Sequence, residues 1–322
     1  MKHNKTSNII YFIFINIFLI FSVDVFACKV LVDNSNNKSS LCDENGDMLA
    51  DLPKDKKEWI IPKTINIAFA TIEDASFYEQ VYGDFINHLQ QCMNTPVLIY
   101  PVYQEEHVIE AMKSGKIHVA SFGAGATILA VNHAGAIPFA SRGAQNQNES
   151  YQLWLITRKS SAYKQLSDLK GKKIAHTTPS SNSGNLAPRV LFPDLGLKPD
   201  IDYKVEFSGR HDKSIMGVKN GFYDAAAIAS DVFKRMVISK EINENDFNIL
   251  WKSNNFPTNS FSYYHKLNPV FTRQLQQCFY KYKFNEKNKV LLNGNDVFVP
   301  VSYAKDWALV RKVSNQALTL KK

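Results

Sequence analysis

Beyond its first 27 residues the sequence has no apolar run approaching the roughly 20 residues that span a bilayer. It has no stretch of basic residues interleaved with aromatics, no low-complexity tract and no repeat of fixed period. A nucleophile elbow is missing, and no His, Cys, Asp or Glu set completes a metal motif. These absences argue against a membrane-spanning domain, a nucleic-acid groove and a hydrolase of the common kinds. What is present is 322 residues, 45% of them hydrophobic, which fits a globular chain of two domains. The formal charge is +8, and without residues 1–27 it is 36 basic against 29 acidic. That excess is scattered, and it suits an anionic solute or a negatively charged membrane surface.

The first 27 residues read as a secretory signal peptide. Lys2, His3 and Lys5 make a basic start, Ile9 to Phe21 is apolar except for Asn16, and Val25-Phe26-Ala27 supplies a cleavage site. Export places the thiols in an oxidising compartment, and four cysteines is an even number. Cys28 and Cys42 bracket a short polar loop and are the natural disulfide pair. The competing use of Cys28, first after cleavage at Ala27, is as a lipid anchor. Spacing leaves open whether Cys92 and Cys278 pair or are simply buried.

Residues 28–63 form an irregular leader rich in Asn, Ser, Lys and Asp. Within it Asp43, Asn45, Asp47 and Asp51 stand at positions one, three, five and nine of a calcium-loop spacing. The bidentate Glu of the twelfth position is missing, and a solvated acidic turn accounts for the same residues.

From Thr64 the pattern alternates strand and helix. Phe77, Val81, Phe85 and Leu89 recur every fourth residue in a helix that follows the strand Thr64–Ala70. Repeated units of this kind predict α/β sheets with parallel strands. The expected division is a first lobe over 64–150, a second over 151–257, and a return to the first lobe with a C-terminal tail over 258–322.

The densest local signal is Thr177-Thr178-Pro179-Ser180-Ser181-Asn182-Ser183-Gly184-Asn185, between the strand Lys173–His176 and a helix expected over Asn185–Phe192. Hydroxyl and amide groups gathered where helix N–H groups are unpaired can bind a tetrahedral oxyanion without Lys or Arg. An ordinary N-cap is the plainer use. Ser208-Gly209-Arg210-His211-Asp212 and Ser230-Asp231 lie at two further strand-to-helix junctions. There Asp212 and Asp231 either cap helices or accept a hydrogen bond from the P–OH of a singly protonated anion.

Taken in order, the blocks SFGAGATILA (121–130), the 168–172 turn DLKGK, SSNSG (180–184), SGRHD (208–212), GFYDAAAIASD (221–231) and Phe256-Pro257 resemble the phosphonate/phosphite/phosphate-binding proteins of ABC importers, from about Thr64 to Lys312. The resemblance implies a two-lobed periplasmic-binding-protein architecture of type II kind with the ligand cleft between lobes. It implies a monomer that captures a small phosphorus oxyanion for an ABC permease in the inner membrane, with no cofactor, no nucleic acid and no catalysis. By the same resemblance Ser181, Asn182 and Ser183 hold the anion, and His211, Asp212 and Asp231 close on it. Thr127 stands where the family often has Tyr; either the pocket has room for a larger organic group, or another aromatic such as Tyr151 fills it. Two other readings stay open at this point: a ligand-sensing receptor of the same fold, and a phosphohydrolase built on His211 and Asp212 with His176 and Asp231.

Overall fold

The computed structural model describes residues 28, 30–32, 38–69, 75–102, 104–145 and 147–319, so the expected signal peptide lies outside the described residues. The leader is less irregular than its composition predicts. It carries an antiparallel hairpin, β1 (Val30–Val32) and β2 (Lys38–Cys42), joined by the Cys28–Cys42 disulfide with Cα atoms 5.4 Å apart. The calcium-spaced residues after it serve as backbone acceptors. Asp43 accepts from the N–H groups of Gly46, Asp47 and Met48, Asn45 from Asp47, Asp47 from Leu49, and Asp51 from Glu44. Among the described residues no group of three or more His, Cys, Asp or Glu side chains is placed to hold a metal ion.

The first lobe is built from β3 (Ile65–Phe69), α1 (Ala75–Met93), β4 (Val97–Ile99), α2 (Glu105–Lys113), β5 (Val119–Gly123), α3 (Ala124–Ala134), β6 (Ala136–Ala144) and the short β7 (Gln147–Asn148). The second holds β8 (Ser150–Arg158), β9 (Lys173–His176), α4 (Ala187–Leu191), β10 (Lys204–Phe207), α5 (His211–Asn220), β11 (Ala225–Ala229), α6 (Ser230–Ile238) and β12 (Phe247–Pro257). The chain then returns through β13 (Asn259–Tyr264), α7 (Pro269–Lys281), α8 (Glu286–Leu291), β14 (Val297–Pro300), α9 (Tyr303–Asp306) and α10 (Ala308–Thr319).

Both sheets share one plan. Strand order is β4-β3-β5-β13-β6-β14 in the first and β10-β9-β11-β8-β12 in the second. In each, three parallel strands meet an antiparallel strand that has just arrived from the other lobe: β13 beside β5, and β8 beside β11. The chain therefore crosses between β6 and β8 and again at Thr258, and it reaches the second lobe once more after β14, in α9 and α10. Parallel strands covered on both faces read as unbroken apolar runs, and Ala225–Ala229 is buried throughout for that reason.

Each lobe has its own core. In the first, Val81, Phe85 and Leu89 of α1 face the sheet, and the rings of Phe85, Phe261, Phe279 and Phe298 pack largely edge to face, with Phe85 and Phe279 centroids 4.7 Å apart. The Cys92–Cys278 disulfide joins α1 to α7. In the second core, Leu153, Leu155, Ile174 and Phe233 surround β11. The tail departs from the expected return to the first lobe. Trp307, Val310 and Val313 bury into the second core beside Ile128 and Val131 of α3, because the apolar stripe of α10 finds its partners on α4 and α3.

Candidate binding site

Three strands end at the gap between the lobes, and each runs straight into helix-forming chain. α3 starts directly after β5, α6 directly after β11, and residues 177–181 carry β9 into a single π-turn, Asn182–Leu186, that leads to α4. The expected single helix over Asn185–Phe192 is thus a π-turn followed by a shorter helix. Helix first turns carry N–H groups without intrahelical partners. The N-cap residues of α3 and α5 (Gly123 and Arg210) make no side-chain capping bond, so those donors are left for something else, whereas the Asp231 and Val232 N–H groups of α6 donate to the Asp231 carboxyl.

The gap holds a cavity of about 30 Å³, small beside the pockets that take drug-sized ligands. The first lobe lines it with Glu105, the first residue of α2, and with the Gly123–Ala126 segment. The second lobe supplies Tyr151, Ser181, Asn182, His211 and Asp231, and Thr258 stands at the crossing. Gly125 makes the lobes' approach possible. A Cβ there would lie 2.2 Å from the Ser180 carbonyl oxygen and 2.9 Å from the Asn182 nitrogen. Gly184 serves the same end within the second lobe, since a Cβ would fall 1.8 Å from Thr177 Oγ1.

The polar groups are arranged as donors facing acceptors. Ser181 Oγ accepts from the Gly184 N–H at 3.1 Å. Asn182 Nδ2 donates to Tyr151 Oη at 3.0 Å, leaving the phenol proton to point elsewhere. Nδ1 of His211 accepts from the Ala229 N–H at 3.1 Å, so the ring proton sits on Nε2, 3.4 Å from Ser181 Oγ. Burial lowers this imidazole to about 4 and keeps it neutral. Asn182 Oδ1, Ser183 Oγ and Asp231 Oδ1, with Thr177 Oγ1 in the same loop as the first two, are among several buried side-chain atoms of the described residues that have no hydrogen-bond partner. Orphaned buried groups of this kind are rare and call for a ligand or an equivalent explanation.

Electrostatically the site is unusual for an anion. No lysine or arginine lines the cavity among the described residues, whereas two carboxyls do. Burial raises Asp231 above the usual carboxylate range, with the Arg142 guanidinium opposing it. Arg142 is committed mainly to Glu149, Nε to Oε2 at 2.8 Å, with both side chains buried. Glu149 also accepts from Thr258 Oγ1 at 3.3 Å, which ties the first two interlobe crossings together behind Asp231. Glu105 is pushed up to about 7, again by burial.

Of the residues singled out from sequence, Ser181, Asn182, His211, Asp231 and Tyr151 meet at the cavity, and Ser183 lies buried beside Tyr151. Asp212 does not join them. Its carboxylate takes a two-pronged contact from Arg210, Nε at 3.1 Å and Nη2 at 3.0 Å. Thr127 is wholly buried against β13, donating to the Gly123 carbonyl at 2.9 Å and sharing a 2.8 Å hydrogen bond with Ser260. The space beside it adds no room to the cavity, while Tyr151 forms part of the wall. His176 is held inside the second lobe between Asn185 Oδ1 and Tyr203 Oη, each at 2.9 Å, so it never meets His211 and Asp231. Sequence reasoning missed Glu105 and Thr258. Only the Phe256-Pro257 block beside Thr258 pointed near either.

Residues 67–307 match the family of ABC-transporter periplasmic substrate-binding proteins for phosphonate. The phosphate-import protein PhnD of Mycolicibacterium smegmatis is 27% identical over 244 residues, which cover 71% of this chain and 75% of that protein. A binding-protein component of an ABC phosphonate transporter from Pseudomonas aeruginosa superposes with a TM-score of 0.71 at 21% identity, covering 81% of this chain and 90% of the other. PhnD1 of Prochlorococcus marinus, solved in complex with methylphosphonate, superposes at 0.70 with 16% identity, covering 80% and 98%.

Proposed function

We infer that this chain, which belongs to the family of periplasmic phosphonate-binding proteins of ABC transporters, is the solute-binding component of a phosphonate or phosphate importer and takes its anion in protonated form. One observation carries the second half: Asp231 Oδ1 is buried and unpartnered in the same wall as Ser181, Asn182, Tyr151 and His211. Uncapped helix N–H groups, Ser181, Asn182, Ser183, Tyr151 and His211 Nε2–H bind anionic oxygens without any full positive charge. Asp231 accepts the remaining P–OH. A fully ionised sulfate has no proton to offer there, so the same carboxyl rejects it.

The partner that this family membership implies is a membrane permease, and we read the mature chain as a monomer that binds without chemical turnover. The groups a hydrolytic centre would need are dispersed: His176 is held by Asn185 and Tyr203, and Asp212 by Arg210. No helix of the described residues is long and apolar enough to cross a membrane. The Cys28 sulfur is bonded to Cys42, which leaves it no thiol for a lipid; we therefore read the protein as free in the periplasm. Intact mass of the exported chain checks this, and a lipid adduct on Cys28 contradicts it. Calorimetric titration with phosphate, phosphite and methylphosphonate tests the ligand class. Saturable binding of at least one is expected, and binding of none overturns the reading.

A further inference from the structure

Glu105 opens α2 in the first lobe, yet it is 6% exposed and lines the cavity opposite the second lobe's donors. An acidic residue in a helix first turn normally sits in solvent, where the helix dipole favours it. Here the carboxylate is instead taken out of water. Its Oε2 accepts from Ser180 Oγ, a second-lobe residue that is itself buried, at 2.5 Å, and the Gly123 N–H approaches the same carboxyl. Ser180 is gripped at its backbone too, since its carbonyl oxygen packs against Gly125. A carboxylate has about four acceptor positions. Two protein donors leave capacity on a group that borders the ligand space.

We propose that Glu105 is a specificity-determining residue that gives the site a second acceptor beside Asp231, so that the anion it selects carries two P–OH donors: dihydrogen phosphate in preference to a simple alkylphosphonate. This rests on the reading of the cleft as a phosphorus-oxyanion site. At equal charge, phosphate carries one more hydroxyl than methylphosphonate, whose methyl group offers nothing to a carboxylate. Burial raises the Glu105 carboxyl to about 7, so above that pH it is an acceptor that takes its hydrogen bond from the ligand. The charged and titratable groups around Glu105 are Glu106 beside it on α2, and Asp231 and His211 across the cavity. None is a cation that could replace the ligand's proton. Because Ser180 belongs to the other lobe, the same carboxyl is complete only when the lobes are closed.

The test compares affinities for inorganic phosphate and methylphosphonate at about pH 8, where Glu105 is an acceptor, each affinity referred to the singly charged form of the anion, in wild type, Glu105→Gln and Ser180→Ala. The expected result is a wild-type preference for phosphate of roughly tenfold or more, the worth of one hydrogen bond to a charged group. Glu105→Gln, which can turn its NH2 to the ligand, brings the ratio to within about threefold. Ser180→Ala weakens both ligands together and keeps the preference. Should Glu105 act only as a tie to Ser180, both variants would weaken both ligands in parallel, and the proposal is overturned. An unchanged ratio in Glu105→Gln overturns it as well. A wild-type protein that binds neither anion overturns the ligand class itself, which is a distinct failure. Thermal melts of both variants exclude loss of fold as the cause of weakened binding.

Discussion

The backbone N–H of Ala229, the last residue of β11, donates to Nδ1 of His211 at the start of α5. That one bond fixes the imidazole tautomer and aims its Nε2–H at the cavity. Because burial lowers the ring to about 4, His211 is a neutral donor across the physiological range. We expect imidazole ¹⁵N signals of the Nε2–H form, unchanged from about pH 8 to about pH 5.5, where an unperturbed histidine would be charged. The sign for stability follows. The unfolded chain binds this proton near 6.5 and the folded chain near 4, so the contribution of this group is complete above 6.5 and is lost as pH falls towards 4. Titration of His211 near 6.5 would contradict the buried-donor assignment.

Gly125→Ala separates local from interlobe effects. Alanine is the better helix former by up to about 1 kcal/mol, and Gly125 lies inside α3. On local grounds alone the substitution stabilises. Its Cβ, however, would meet the backbone of Ser180 and Asn182, so the lobes can no longer approach. Losing one or more charge-assisted hydrogen bonds at roughly 1.5–3 kcal/mol each weakens the anion at least about tenfold, with the melting temperature of the ligand-free protein little changed. Wild-type affinity in this variant would show that closure does not run through Gly125.

Reduction should act on the first lobe. Cys92 and Cys278 are separated by 186 residues, and closing a loop of that length removes unfolded-state entropy worth about 5 kcal/mol in the chain-entropy model. Cys92→Ala with Cys278→Ala is expected to lower unfolding free energy in urea by about 2–5 kcal/mol. A loss under about 0.5 kcal/mol would mean that the bridge is absent or that the unfolded chain is already restricted.

Much of this was legible in the sequence, for physical reasons that differ between residues. The strand–helix alternation and the serine-rich junction at 180–184 announced themselves because periodicity and N-terminal chemistry are local. His211 and Asp231 could be chosen because each opens a helix directly after a strand. Asp212 could not share the site with His211: consecutive helical residues face different directions, and Arg210 was at hand to pair with it. Thr127 lies on the face of α3 turned to β13, a fact set by sheet order rather than by any motif. Glu105 stands in an acidic helix first turn of a common kind, which by itself signals nothing beyond the helix dipole. Only the closed arrangement of two lobes, contributed by distant parts of the chain, turns it into a wall of the cavity. The same holds for α10, whose apolar stripe names no partner until both α3 and α4 are in place.

In the proposed site, the buried carboxyl of Asp231 makes the cleft demand a protonated anion. The most direct measurement is a calorimetric titration of wild type and Asp231→Asn with phosphate, methylphosphonate and sulfate under identical salt. Wild type is expected to bind a phosphorus anion and to discriminate against sulfate by at least about tenfold, the worth of one charge-assisted hydrogen bond. Asp231→Asn should weaken the phosphorus anion and narrow that gap, because its amide can donate where the carboxyl could only accept. Sulfate bound by wild type as tightly as any phosphorus anion would contradict the account.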